Sequence, residues 1–277
     1  MVERFFSVRQ VELLNHSHYD PIMLLSGPPS CGKTSLLFQF AFNSAVGSSH
    51  EVVFICNRRK LESKPPYLSQ GIDPSSDTFQ RIQMKYVEED EGIKNYFAAF
   101  HLHETIPAAV VIDDFGDFFE ERSCQEKYNN PRGRDLAMVR TLALCHNAIA
   151  HANKTGPCKL LLSDTHHGDS PRLLFIYKRW IPAIFTIKGD GLGSFVLKSN
   201  SSSVTGSSVR MRTAKYSIAL QHLTLEGITE ESEHRTNIDQ SGDLDVCSSE
   251  GHVAEIRSAE SVVCHRSCFV WRTLGRL

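Results

Sequence analysis

The stretch Gly27-Pro28-Pro29-Ser30-Cys31-Gly32-Lys33-Thr34 carries residue types that bind polyphosphate, at the spacing this chemistry needs. Gly27 and Gly32 permit backbone geometry and a close approach that a side chain would block. Loop N–H groups and the positive end of the following helix surround phosphate oxygens. Lys33 neutralises the β- and γ-oxygens, and the Thr34 hydroxyl is placed to ligate Mg²⁺. An apolar strand, Ile22–Ser26, precedes the loop, and a helical pattern, Ser35–Ala45, follows it. That context separates a phosphate-binding loop from a chance Gly-Lys-Thr. Residues Gly27 through Ser35 are therefore the candidate nucleotide contacts.

A second cluster supports the first. Ala108-Ala109-Val110-Val111-Ile112 is an aliphatic strand that ends in Asp113-Asp114. An acid at such a strand tip holds Mg²⁺ through water in phosphate-loop enzymes, which makes Asp113 the candidate metal partner of Thr34. Asp114 is the candidate for orienting an attacking water, one carbon shorter than a glutamate in that role. A further strand, Lys159–Ser163, ends in Asp164-Thr165-His166-His167. A plain polar turn is one account of Asp164 and Thr165. His166 and His167 lack a third ligand, so a solvated loop explains them better than a metal does.

The elements that must position these residues follow from apolar runs. Ile22–Leu25, Val52–Cys56, Val110–Ile112 and Leu160–Leu162 are short, aliphatic and bounded by turn residues, as strands buried on both faces are. Helical patterns lie between them: Thr34–Ala45, Glu91–His103 and about Arg134–Asn153. Their alternation predicts an α/β fold with a mainly parallel sheet, flanked by helices through right-handed crossovers. Beyond Trp180 the pattern becomes short strands, at Ala183–Lys188, Ser194–Lys198, Ala214–Gln221 and Leu223–Leu225. These predict a partly antiparallel β extension of the same sheet. Ser199–Ser208 is expected to be a flexible link. From Thr229 the sequence is polar and aperiodic, so one domain over 1–228 and a disordered tail over 229–277 are expected.

Composition narrows the partners. The 277 residues are 41% hydrophobic and 22% charged, with a formal net charge of -2. A polybasic binder is excluded, whereas a local basic patch is not. Such patches occur at Arg58-Arg59-Lys60, at Lys178-Arg179, and around Arg210, Arg212 and Lys215. Each offers phosphate contacts to a nucleic acid, and Tyr177 and Trp180 offer stacking surfaces. For any one of these residues a solvated face or a buried ring is an equally good account. No apolar stretch suits a membrane span, and the first residues lack the core of a secretory signal. The eight cysteines are spread thinly. Cys264, His265 and Cys268 find no second pair to complete a zinc site.

Taken in order, these segments resemble the RecA-type ATPase core. The resemblance is carried by Leu24–Ala41, by Val53-Phe54-Ile55 through Arg58-Arg59-Lys60-Leu61, by Asp73 with Arg81-Ile82, and by Val110–Phe119. More narrowly, the chain is similar to the short recombinase paralogue that partners a SWIM-domain zinc protein in Shu-type complexes. The resemblance implies ATP and Mg²⁺ as cofactors, weak ATPase activity, single-stranded DNA binding and support of homologous recombination. It also implies a recombinase and other recombinase paralogues as partners, a nuclear location, and Asp164 and Thr165 as candidate sensors of the terminal phosphate. Two departures from RecA-type ATPases stand out. The glutamate expected after the strand Val52–Cys56 is replaced by Asn57-Arg58-Arg59, so slow hydrolysis is expected. The chain also lacks a Phe-x-x-Ala linker and a separate DNA-binding domain, so it is not expected to form filaments alone. A small-molecule or nucleotide kinase and a nucleotide-bound scaffold are the alternatives.

Overall fold

The computed structural model describes residues 2–7, 20–166, 168, 173–201 and 210–232. Its centre is a sheet of ten strands among the described residues, in the order β3-β10-β9-β8-β7-β1-β6-β5-β2-β4. The strands are β1 (Ile22–Gly27), β2 (Val52–Cys56), β3 (Leu68–Ser69), β4 (Ile82–Tyr86), β5 (Ala109–Ile112), β6 (Lys159–Thr165), β7 (Ala183–Gly189), β8 (Ser194–Ser201), β9 (Arg210–Ala219) and β10 (His222–Ser232). Pairing is parallel from β7 through β1, β6, β5 and β2 to β4. It turns antiparallel from β7 through β8 and β9 to β10. The fold is thus α/β, with a mainly parallel, RecA-like sheet and a C-terminal β extension within the same sheet.

Helices cover both faces, which is why β1 and β5 are buried along their whole length. On one face, α1 (Lys33–Val46) and the 3₁₀ turn Val2–Phe5 close a core containing Phe38, Phe54, Phe185 and Tyr216. On the other lie α3 (Asp90–Ala98), α5 (Gly133–Ala152) and α6 (Leu174–Trp180), whose core with Leu24, Ile112 and Leu162 of the sheet includes Tyr177 of α6. Two shorter helices, α2 (Arg58–Ser63) and α4 (Glu121–Tyr128), lie in the connections that follow β2 and β5.

Several expected boundaries move. The strand expected over Ala214–Gln221 begins earlier, at Arg210, and stops at Ala219. Leu220 and Gln221 form the hairpin turn, with φ of 49° and 62°. No glycine or proline marks that turn, so the sequence hides it. β10 runs to Ser232, past the expected start of the tail; the rest of the tail, with Cys264, His265 and Cys268, lies outside the described residues. β8 takes in Ser199–Ser201, the beginning of the expected link, and 202–209 are likewise outside. The helix expected to reach His103 ends at Ala98 and gives way to a 3₁₀ turn, Phe100–Leu102. Finally, β6 continues through Thr165, so Asp164 and Thr165 belong to a strand rather than to a following turn.

Candidate phosphate and metal site

The loop between β1 and α1 is held open by its backbone. Ser30 and Gly32 take positive φ, 61° and 80°. A Cβ at Gly27 would come within 2.7 Å of Cys31 Sγ, and one at Gly32 within 2.3 Å of Ile218 Cδ1. Gly32 is also the N-cap of α1, and no side chain caps its first turn. Orphan N–H groups at such a helix start are the donors an anion uses. Lys33 is only 6% exposed. Its Nζ donates to the Pro28 carbonyl at 3.2 Å and lies 4.0 Å from Asp114 Oδ1.

Opposite the loop, the tip of β5 supplies the acids and β6 supplies hydroxyls that bond them. Thr34 Oγ1 donates to Asp113 Oδ2 at 2.9 Å, and Ser163 Oγ donates to Asp113 Oδ1 at 2.9 Å. Ser163 Oγ also accepts from the Asp114 N–H, at 2.8 Å. Asp114 sits at φ 48°, in the left-handed region, and its carboxylate accepts from Thr165 Oγ1 at 2.7 Å. Burial pushes the Asp113 carboxyl up to about 6 and the Asp114 charge adds to this, against the hydroxyls of Thr34 and Ser163 and the charge of Lys33. A dry carboxylate beside a hydroxyl is a group that a divalent cation would discharge. The open loop geometry and the Thr34–Asp113 pair both fit a Mg²⁺-bound polyphosphate.

Lys33, Thr34, Asp113, Asp114 and Thr165 therefore converge at the carboxyl ends of neighbouring strands. Asp164 does not join them as an accessible group, being 1% exposed. His166 turns inward: its Nδ1 is hydrogen-bonded to Ser26 Oγ at 2.7 Å, and its N–H donates to the Gly27 carbonyl at 3.1 Å. That ties the end of β6 to the start of the phosphate loop and replaces the expected solvated histidine. His167 lies outside the described residues. Among the described residues, no three His, Cys, Asp or Glu side chains form a metal cluster. Sequence reasoning missed Ser163 and Tyr216. Ser163 was visible as the polar tip of an aliphatic strand. Tyr216, whose hydroxyl donates to the Cys31 carbonyl at 2.8 Å, gave no signal, because it comes from a strand far along the chain.

The basic candidates do not form one surface. Arg58, Arg59 and Lys60 start α2, just beyond the carboxyl end of β2, rather than forming a bare strand end. Arg58 bonds Glu62 at 3.1 Å and lies over the Tyr86 ring, and Lys60 pairs with Asp117 at 2.6 Å. Lys178 and Arg179 occupy the last turn of α6, which leads into the amino end of β7. Because β7 is parallel to β1, that turn lies toward the opposite rim of the sheet from α2. Tyr177 is fully buried in the core against Phe115, which removes it as a stacking surface. Trp180 rests against His146. Arg212 is engaged by Glu3 and Glu230, and Lys215 by Asp190. Asn57, where a glutamate was sought, accepts from the Lys60 N–H as the N-cap of α2. Two cavities, of about 500 and 570 Å³, flank β4 and α3, away from the loop and the acids.

The fold is RecA-like α/β, and its glycine-bordered loop faces two strand-tip acids, a geometry that fits a bound polyphosphate. Comparison with known proteins agrees. The chain is 26% identical to the human protein named ATPase SWSAP1, over 62% of this chain and 74% of that protein. It is 27% identical to its mouse namesake, over 62% of this chain and 60% of that protein. The chain is thus a distant relative of these ATPases, and the match spans less than two thirds of the mouse protein. No protein-family model matches it.

Proposed function

We propose that the chain binds ATP with Mg²⁺, hydrolyses it slowly, and acts in homologous recombination repair as a nuclear, single-stranded-DNA-binding subunit. The observation that carries this reading is the convergence of Lys33, Thr34, Asp113 and Asp114, with Thr34 bonded to Asp113 at 2.9 Å and Lys33 4.0 Å from Asp114. When bound, Mg²⁺ would neutralise charge on the β- and γ-phosphates. Thr34 and Asp113 would hold it, the loop N–H groups and Lys33 would hold the phosphates, and Asp114 would orient a water. The ATPase part is supported by the likeness to the proteins named ATPase SWSAP1, and the recombination part by the sequence resemblance described above. That resemblance also supports a SWIM-domain zinc protein as partner, with a recombinase and other paralogues beside it.

Fluorescent-nucleotide titration tests the core of the proposal. Lys33→Ala should weaken Mg·ATP binding by several-fold to tenfold or more, since a buried phosphate charge loses its counter-ion; equal affinities would remove the phosphate-loop argument. One observation favours a second reading, a scaffold that binds nucleotide without turnover. Asn57 occupies the position of the missing glutamate and spends its side chain on capping α2. Stable binding with no phosphate release, with and without single-stranded DNA, would select that reading.

A further inference from the structure

Tyr216 of β9 is fully buried, and two other rings hold its own. Phe6, just past the N-terminal 3₁₀ turn, lies 5.7 Å away between centroids, and Phe195 of β8 stacks on it at 5.5 Å. A phenylalanine would fill this space equally well, so the core itself gains little from a hydroxyl there. A buried hydroxyl needs an acceptor, and this one finds it in the phosphate loop. It donates to the Cys31 carbonyl at 2.8 Å. Burial also pushes the pKa of the phenol well up, so the hydroxyl keeps the proton it donates.

The bond acts on one particular peptide unit. The Cys31 carbonyl and the Gly32 N–H belong to the same planar group, and the described residues contain no cis peptide. In a trans peptide the C=O and the N–H point in opposite directions. Drawing the carbonyl toward β9 therefore turns the Gly32 N–H away from β9. Gly32 makes this possible, since its φ of 80° sets the preceding peptide far from the helical orientation. No side chain caps the helix start that follows. Ile218 lies two residues along β9, on the same face as Tyr216, and closes the space beside Gly32. β9 thus holds both residues of that peptide: Cys31 through Tyr216 and Gly32 through Ile218.

We propose that Tyr216 is a positioning residue for phosphate binding: its hydroxyl locks the Cys31–Gly32 peptide with the Gly32 N–H aimed at a bound phosphate oxygen. This rests on the reading of the loop as an ATP site. A donor set in place before the ligand arrives costs no reordering on binding, whereas a donor free to turn must be ordered first.

NMR of the full chain tests this at the peptide itself, because Cys31-Gly32 is the only Cys-Gly step in the sequence. Labelling cysteine carbonyls with ¹³C and glycine nitrogens with ¹⁵N isolates one signal, which reports the carbonyl and the N–H together. In Tyr216→Phe the carbonyl carbon should shift upfield, as it does when a hydrogen bond is lost. Saturation with Mg·ATP should move the Gly32 proton downfield in wild type and clearly less far in Tyr216→Phe. Calorimetric affinity should fall by roughly fivefold to tenfold in that variant, the net worth of one hydrogen bond. Mg·tripolyphosphate should show the same difference, since the peptide meets phosphate and not base. A hydroxyl that served stability alone would leave the Gly32 displacement unchanged in the folded, saturated protein.

An unmoved carbonyl, or an equal Gly32 displacement in the two proteins, overturns the proposal and leaves the ATP site standing. So does a wild type that binds Mg·ATP with no displacement at Gly32. If wild type binds neither ligand, the ATP reading and the positioning role fall together. Should Tyr216→Phe not fold, Phe195→Leu keeps the hydroxyl but frees its ring. That variant should move both signals the same way and less far, and no movement in either overturns the proposal.

Discussion

Asp113 concentrates the conflict between fold and chemistry at a single carboxylate. In the folded chain it keeps its proton up to about 6, against an ordinary value of 3.8. The folded state therefore binds more protons than the unfolded one across that window, and stability falls as pH rises through it, levelling off above. Asp113→Asn should remove this loss. Urea unfolding at about pH 4.5 and about pH 7 should show a smaller pH effect in the variant than in wild type. The same pH dependence in both would mean that another group titrates. A cation at this site competes with the proton, so Mg²⁺-dependent nucleotide binding should weaken as the pH drops below about 6 and should be lost in Asp113→Asn. Asp114 is set apart by its backbone and its Thr165 contact. Asp114→Asn should abolish turnover while sparing nucleotide affinity. Wild-type turnover itself should lie roughly a hundredfold or more below the ~1–100 s⁻¹ of kinases. Normal phosphate release by that variant would send the search to another acid.

Between elements, the joint between the phosphate loop and β9 leaves no room for a side chain at Gly32. Gly32→Ala faces two penalties: a φ of 80° that a Cβ disfavours, and a collision with Ile218 Cδ1. A cost of about 1–3 kcal/mol is expected, of the size usual for a strained backbone site. Ile218→Ala relieves the collision but not the strain, so the double variant should recover part of the loss, measured as a coupling in a double-mutant cycle. Strict additivity would show that the two residues do not press on each other in solution. This joint also shows where sequence reading stops. The phosphate loop, its strand and helix, and the acidic tip of β5 were legible because each is a local pattern: glycines at fixed offsets, an aliphatic run, two acids. The closure of Tyr216 and Ile218 on the loop was not, since it depends on sheet order, which no local pattern encodes. The burial of Asp164 and His166 was hidden for the same reason. Polar and aromatic residues next to a strand end look solvated until a neighbouring strand covers them.

At the scale of the whole molecule, a chain of net charge -2 that is proposed to bind single-stranded DNA must do so through local basic groups. Several of its described basic residues are engaged by acids, Arg212 by two of them. The α2 group is held only by exposed pairs. Arg58 is 55% exposed in its pair with Glu62, and Lys60 is 56% exposed in its pair with Asp117. Ion pairs this exposed are worth little, so a phosphate can displace them at small cost. Lys178 and Arg179 lie toward the other rim of the sheet and cannot add to the same short contact. Few phosphates are then neutralised at once. Single-stranded DNA binding by the chain alone should be weak, with a log–log salt slope of about −1 to −2, from roughly two or three contacts. Arg58→Ala with Arg59→Ala should flatten that slope and weaken all sequences alike, whereas Lys178→Ala with Arg179→Ala should leave it nearly unchanged. A partner with its own basic surface should steepen the slope and raise affinity by gripping the same strand at a second place. Anisotropy titrations at two salt concentrations, with and without the proposed SWIM-domain partner, read each of these effects. Tight, salt-insensitive binding by the isolated chain would contradict the argument. Equal losses from the two double variants would mean that the strand runs across both rims of the sheet.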